Sequence, residues 1–432
     1  MTVLNAVQTA PQLGQALHQR ITELYPICRS ITGHGVRQTL HLIGRDIPIE
    51  PRAVRSGTQA FDWTISDEWN VRDAYIADVD GHRLVDFRAH NLHLVSYSVP
   101  VRARMSFEEL RPHLHTLPEH PDWIPYRTAY YSQTWGFCLA HSQLESMGPG
   151  PFDVVIDTSI EAGELNYGEL VIPGDRSDEV IISAHVCHPS LANDNLSGVA
   201  IATELAKALL ALDRRRYTYR FVFAPGTIGS LAWLSQHSDI WPRIRYGLVL
   251  TGLAGDGGLV YKQTRHGSRP IDRIAAHVVQ RNGGEIRGYS PYGYDERQFN
   301  SVGFDLPVGR LSRTPHGEYP EYHTSADNLD FVRADELAES YAVVLEIVNI
   351  IERDQRYRNL SPHGEPQLGK RGLYPTIGGK AASDTVMAML WTLAYSDGEH
   401  SILDIAEVSS LAFSAVNDAA TKLTGAQLLE PA

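Results

Sequence analysis

The sequence predicts an α/β fold built on a mostly parallel central sheet. Three observations predict it. Glu169-Leu-Val-Ile-Pro173, Glu179-Val-Ile-Ile-Ser183, Tyr219-Arg-Phe-Val-Phe-Ala224 and Tyr246-Gly-Leu-Val-Leu250 are short runs with little polar alternation, the texture of strands covered on both faces. Leu196 to Leu212, between the second and third of these, places Leu196, Val199, Thr203, Ala206 and Leu210 at helical spacing. Strands alternating with helices in this way indicate parallel crossovers rather than hairpins.

The elements follow in order along the chain. Residues from about Gln12 to Ile43 read as helix, interrupted near Tyr25-Pro-Ile-Cys-Arg-Ser-Ile-Thr-Gly33, where Pro26 removes a donor and Gly33 permits positive φ. From Ser56 the texture is aromatic, alternating and β-prone, as in Phe61 to Ile76, Asn91 to Tyr97 and Trp123 to Phe137. A small β-rich unit over 57–150 is expected, inserted into a larger domain formed by 1–56 and 151–355 and supplying an aromatic rim to its site. Asp153-Val-Val-Ile-Asp157 reads as a first strand after the insert, and Ala334 to Ile351 as a closing helix. Arg353 to Pro366 is polar and holds Pro and Gly, the composition of a linker. Beyond it, 367–432 forms a separate unit whose helices at Thr385–Tyr395, Ser401–Val408 and Phe413–Leu423 predict a winged helix.

Composition narrows the partners. A net charge of -13 disfavours polyanions and anionic membranes. The winged-helix stretch from Asp384 onward carries seven acids and only Lys422 as a base, so nucleic acid is not expected despite the fold, while a homodimer stays open. Cys28, Cys138 and Cys187 are too few and scattered for a disulfide framework. The first eleven residues lack the basic and apolar regions of a signal peptide, and no apolar run approaches the ~20 residues that span a bilayer. A cytoplasmic protein is expected.

The chemistry concentrates in His185-Val-Cys-His-Pro-Ser-Leu-Ala-Asn-Asp-Asn-Leu-Ser-Gly198. This loop joins a buried strand to a helix, and in open α/β sheets ligands collect at the carboxyl ends of strands. Imidazole and carboxylate are ligands that zinc prefers. Downstream, Pro320-Glu-Tyr-His-Thr-Ser-Ala-Asp327 adds His323, and Gly293-Tyr-Asp-Glu-Arg-Gln-Phe299 adds further acids. The candidate metal ligands are His185, His188, Asp194 and His323. Glu321 and Glu296 are the candidate general bases, with Glu318 third, and Arg297 and Arg313 the candidate partners of a substrate carboxylate. Each of these acids alternatively orients a ligand imidazole.

These segments carry a resemblance. His185, the Asn193-Asp-Asn-Leu-Ser-Gly198 turn and Tyr322-His-Thr-Ser-Ala-Asp327 are similar to the zinc aminopeptidases of the phosphorylase/hydrolase-like α/β class. Leu24-Tyr-Pro-Ile-Cys-Arg-Ser-Ile-Thr-Gly33, Phe61-Asp-Trp63, Cys187-His-Pro-Ser-Leu-Ala-Asn-Asp-Asn195, Pro225-Gly-Thr-Ile-Gly-Ser230 and Arg313 to Asn328 resemble, more narrowly, a bacterial aminopeptidase-like family with an inserted β domain and a C-terminal winged helix. The resemblance implies that His185 binds one metal, Asp194 bridges and His323 binds the other; Cys187-His188-Pro189 leaves His188 as an alternative to His185 or an addition.

The chain departs from the wider class. Where those enzymes carry two consecutive glutamates, it reads Ala224-Pro-Gly-Thr-Ile-Gly229; Cys187 replaces the aspartate that orients the first ligand; and Asp256 is the nearest acid to a further expected ligand. One zinc is therefore favoured over two. The expected activity is hydrolysis of an amide bond in a small peptide or aminoacyl metabolite through a metal-bound water. The alternative is a non-catalytic or acyl-transfer member of the fold that binds small molecules or serves as a scaffold.

Overall fold

The computed structural model describes residues 9–373 and 384–432. By its internal contacts the chain divides into two units, with the boundary between Leu345 and Glu346.

The larger unit is organised on an eight-stranded sheet. Its strands are β1 (Glu50–Arg55), β2 (Glu164–Ile172), β3 (Glu179–His185), β4 (Thr218–Ala224), β5 (Ile244–Leu250), β6 (Leu259–Lys262), β7 (Glu285–Arg287) and β8 (Val308–Arg313). They lie in the order β1-β2-β4-β3-β5-β8-β6-β7. β4, β3, β5 and β8 run parallel to one another, whereas β1, β2 and the β8–β6 pair add antiparallel contacts. The helix Gly198–Leu210 connects β3 to β4, close to the expected 196–212.

The strand order decides where the site falls. After β3 the chain moves to one side to form β4, then returns to the other side to form β5. The connections at the carboxyl end of β3 therefore diverge and leave a crevice, the usual place for a ligand in an open α/β sheet. β3 is buried along its whole length and ends on His185, level with Ala224 of β4.

Between β1 and β2 lies a four-stranded antiparallel sheet in the order Arg83–Asp86, Glu68–Ala77, Phe152–Glu161, Val101–Met105. Phe152–Glu161 therefore belongs to this sheet and not to the central one, where the Asp153–Asp157 run had been expected. Its apolar residues pack on one face against Trp69, Ala74 and Ile76, so strand character alone did not reveal which sheet takes it. The inserted sheet shares its core with the central one: Trp69, Ile76, Val154 and Ile156 form one cluster with Tyr167, Ile181, Val249 and Val308.

The smaller unit joins three strands, Arg356–Asn359, Asp397–Ser401 and Leu429–Pro431, to helices Asp384–Tyr395, Ile402–Ser409 and Phe413–Gly425. The stretch expected to be a linker thus contains the middle strand of the wing. Tyr357 is buried there and its neighbours pair on both edges, which outweighs their polar composition. Among the described residues, no helix is long and apolar enough to cross a membrane.

Candidate functional site

The site is built around one buried carboxylate. Asp194 lies in an irregular turn, Ala192–Ser197, that precedes the helix Gly198–Leu210, and its own φ and ψ of -106° and 87° are not helical. Asp327 fixes the turn: one of its oxygens accepts the Asn193 N–H at 2.6 Å, the other the Asp194 N–H at 3.0 Å. The Asn193 side chain accepts the Ala254 N–H at 2.9 Å, and that of Asn195 donates to the Leu250 carbonyl at 2.9 Å, pinning the turn to the end of β5. Gly198 is required at the helix start, because a Cβ there would lie 2.3 Å from the Leu250 carbonyl oxygen.

Three imidazoles converge on Asp194. His185 Nε2 lies 2.9 Å from Oδ1, His323 Nε2 lies 3.1 Å from Oδ2, and His188 Nε2 lies 3.9 Å from Oδ2. The alternatives at His185 and His188 therefore collapse into one arrangement in which both face the same aspartate. Ligand atoms of His185, His188 and Asp194 all lie within 4.8 Å of one another. Two ligands bonded at ~2 Å to a tetrahedral zinc stand ~3.3 Å apart, so the spacing and the donor chemistry suit such an ion. His323 arrives from the far segment with φ of 56°, and its carbonyl accepts the Tyr126 N–H at 2.7 Å.

Electrostatics favour an ionised Asp194. Burial works against its charge, yet His188, His185 and His323 together hold its pKa well below the usual carboxylate range. His188 is driven well below the ordinary imidazole value, chiefly by burial, and so stays neutral and able to bind a cation. Burial, reinforced by the Asp194 charge, pushes Asp327 up to about 7. Cys187 is pushed up to about 12 by burial, which removes it as a thiolate nucleophile; its sulfur accepts the Gly226 N–H at 3.1 Å.

Aromatic rings wall the cluster. Tyr294 stacks on His185 with centroids 5.1 Å apart, Tyr322 on His323 at 3.9 Å, and Tyr126 meets His323 edge-on at 5.0 Å. Tyr126 comes from the inserted region, which is tied to the His323 segment by the Ile124–Ser325 pair of hydrogen bonds, at 2.9 and 2.8 Å. Of the three walls, the insert supplies Tyr126.

Other sequence candidates lie elsewhere. Glu296 is fully buried, with Oε1 2.8 Å from Lys262 Nζ and 3.8 Å from Arg310. The structure thus places Glu296 in an ion-pair cluster with Lys262 and Arg310, whereas the expectation made it a general base. Arg313 is committed to the helix beginning at Ala334: it donates to Ser340 Oγ at 3.0 Å and to Glu339 at 2.7 Å, and it pairs with Glu336. Its donors are thus engaged within the fold, whereas the expectation had them hold a substrate carboxylate. Glu318 is paired with Arg287, and Asp256 is exposed. Glu321 is half-buried two residues before His323. Arg297 is half-buried, with a terminal nitrogen 3.4 Å from Thr227 Oγ1.

Sequence reasoning missed Asp295. Its carboxylate accepts the Thr227 N–H at 2.6 Å, in the loop after β4 that lacks any acid of its own. Burial raises its pKa, while the adjacent His185 opposes that rise. The signal was present in Gly293-Tyr-Asp-Glu296, but sequence alone favoured its neighbour Glu296.

Comparison with known proteins gives the family and the fold. Residues 18–354 match the family model described as domain of unknown function DUF4910, and residues 355–431 match a winged helix-turn-helix model. A protein of Clostridium acetobutylicum named "Putative polysaccharide biosynthesis protein with aminopeptidase-like domain" is 47% identical over 430 residues, covering 98% of each chain. The crystal structure of a "putative peptidase" from the same organism superposes with a TM-score of 0.93 at 45% identity, covering 98% of this chain and 97% of that one. A zinc aminopeptidase from Bacillus subtilis shares the fold, with a TM-score of 0.56 at 14% identity over 79% of this chain and 95% of that one. The chain belongs to the DUF4910 family, as an aminopeptidase-like protein with a C-terminal winged helix-turn-helix.

Proposed function

We propose that this chain is a zinc-dependent amide hydrolase of aminopeptidase type, acting on a small peptide or aminoacyl metabolite. One observation carries the reading: a buried aspartate at the carboxyl end of the central parallel strand gathers imidazoles from two distant stretches of chain. His185, His188 and Asp194 would hold a single ion, with His323 on the outer oxygen of the same carboxylate. Such an ion lowers the pKa of a bound water to ~7 and polarises an amide carbonyl.

The remaining work falls to the chain's own groups. Asp327 keeps the Asp194 turn in place through two backbone amides. Asp295, whose charge the nearby His185 favours, is the proposed acid for the orienting role that the Cys187 position lacks, facing a buried His185 Nδ1 that has no hydrogen-bond partner of its own. Glu321 is the proposed proton carrier.

The test is elemental analysis followed by release of free amine from a panel of aminoacyl amides. The purified protein is expected to hold one zinc per chain, and Asp194→Ala to hold none. Glu321→Gln is expected to keep the zinc and lose about 100-fold or more in kcat, the usual contribution of a positioned acid–base group. Ligand binding without turnover in a zinc-loaded protein would favour the scaffold alternative.

A further inference from the structure

A second charged cluster adjoins the first, and its charges do not balance. Lys262 on β6 and Arg310 on β8 face each other directly across an antiparallel pair, and both are buried. Like charges opposed across a strand pair repel. Glu296 offers them one carboxylate between them, 2.8 Å from Lys262 and 3.8 Å from Arg310. Arg297 adds a third cation, close enough to depress the Lys262 pKa together with Arg310, on top of the effect of burial. Three cations thus face one carboxylate at ion-pair distance, with Asp295 reached only through Thr227. The Nε atoms of Arg297 and Arg310 are moreover buried without a hydrogen-bond partner. Buried charge of this kind is costly unless an opposite charge completes it.

The cluster lies beside the histidine–aspartate centre. His316 Nδ1 lies 3.2 Å from Arg310, which as a donor only requires the ring to accept, so His316 adds no charge. The same ring packs 4.7 Å from Tyr294, the residue stacked on His185. Arg297 reaches Thr227, whose backbone N–H holds Asp295. Gly293 makes the arrangement sterically possible, since a Cβ there would lie 2.0 Å from Glu296 Oε1 and 2.7 Å from Lys262 Nζ.

We propose that Arg297, backed by the buried Lys262 and Arg310, binds an oxyanion of the substrate, so that the molecule hydrolysed carries a carboxylate or phosphate group near its amide bond. Arg297 makes the direct contact, being half-buried; the two buried cations supply a field that water screens poorly. The substrate class deepens the hydrolase reading and rests on it, but the anion site itself is measurable without turnover.

The experiment is calorimetric titration of metal-free wild-type protein with inorganic phosphate and, separately, with succinate, against a constant chloride background. Saturable binding of at least one anion is expected. Arg297→Gln should weaken it by about tenfold or more, the loss of a charge-assisted pair, and Arg297→Lys should restore part of it. Preference for phosphate identifies a phosphate ester, and preference for succinate a carboxylic acid. No saturable binding of either anion by folded wild-type protein at concentrations up to ~50 mM, a range that would reveal even millimolar affinity, would overturn the proposal. So would unchanged affinity in an Arg297→Gln protein of wild-type thermal stability. Zinc content and amine release, measured on the protein as purified before its metal is removed, fail independently if the hydrolase reading is the one at fault.

Discussion

At the scale of single residues, the difference between Arg297 and Arg313 shows what sequence can and cannot separate. Both are arginines beside acidic, aromatic segments, and both suggested a hold on a substrate carboxylate. Arg313 is instead spent on Ser340, Glu336 and Glu339, while Arg297 keeps a buried nitrogen without a partner. The two should therefore fail in different ways. Arg313→Met is expected to destabilise folding by about 2 kcal/mol, the order of a lost hydrogen bond to a charged group, and to leave anion affinity unchanged. Denaturant unfolding and phosphate titration of the same variant check both halves; an altered anion affinity at full stability would return Arg313 to the site. The histidines were more legible. A lone histidine is more often structural than a ligand, but His185, His188 and His323 stood out because their segments carry dense polar chemistry at the ends of predicted sheet elements, whereas Asp295 was hidden by a neighbour of the same charge.

At the scale of elements, the central strands were readable because a strand buried on both faces must be apolar almost throughout. The exceptions are instructive. Glu169, Glu179 and Arg220 lie in β2, β3 and β4, yet are buried because Arg220 bonds to both glutamates, at 2.6 and 2.7 Å. Phe152–Glu161 and Arg356–Asn359 were misplaced for a shared reason: which sheet accepts a strand depends on partners distant in sequence, and local texture does not encode them. The junction between β3 and the helix Gly198–Leu210 is the element most exposed to a small change. A methyl group at Gly198 would meet both the Leu250 carbonyl and the Asn195 side chain, at 2.3 and 2.5 Å. Gly198→Ala is thus expected to cost about 1–3 kcal/mol as an overpacking substitution and to displace the Asp194 turn. A lowered urea midpoint together with weaker zinc binding would agree; wild-type values of both would mean that the junction is softer than its contacts imply.

At the scale of the whole molecule, the winged helix raises the question of nucleic acid, and charge argues against it. Affinity for a duplex comes largely from counterions released by basic groups, so a module with few unpaired cations gains little. The helix Phe413–Gly425, the longest of this unit's motif helices, carries Asp418 against Lys422. The wing adds Arg356 and Arg358, but Arg358 lies between Asp397 on one neighbouring strand and Glu430 on the other. Opposite charges in register across a sheet attract one another, so this arginine is already compensated. The same opposition holds for the chain as a whole, at a net charge of -13. The full-length protein is therefore expected to give no retarded complex with a ~30-bp duplex at ~50 mM salt, where electrostatic binding is strongest. A complex that forms there and dissolves steeply as salt rises would reverse this expectation, and would make the basic residues of the wing the first to replace.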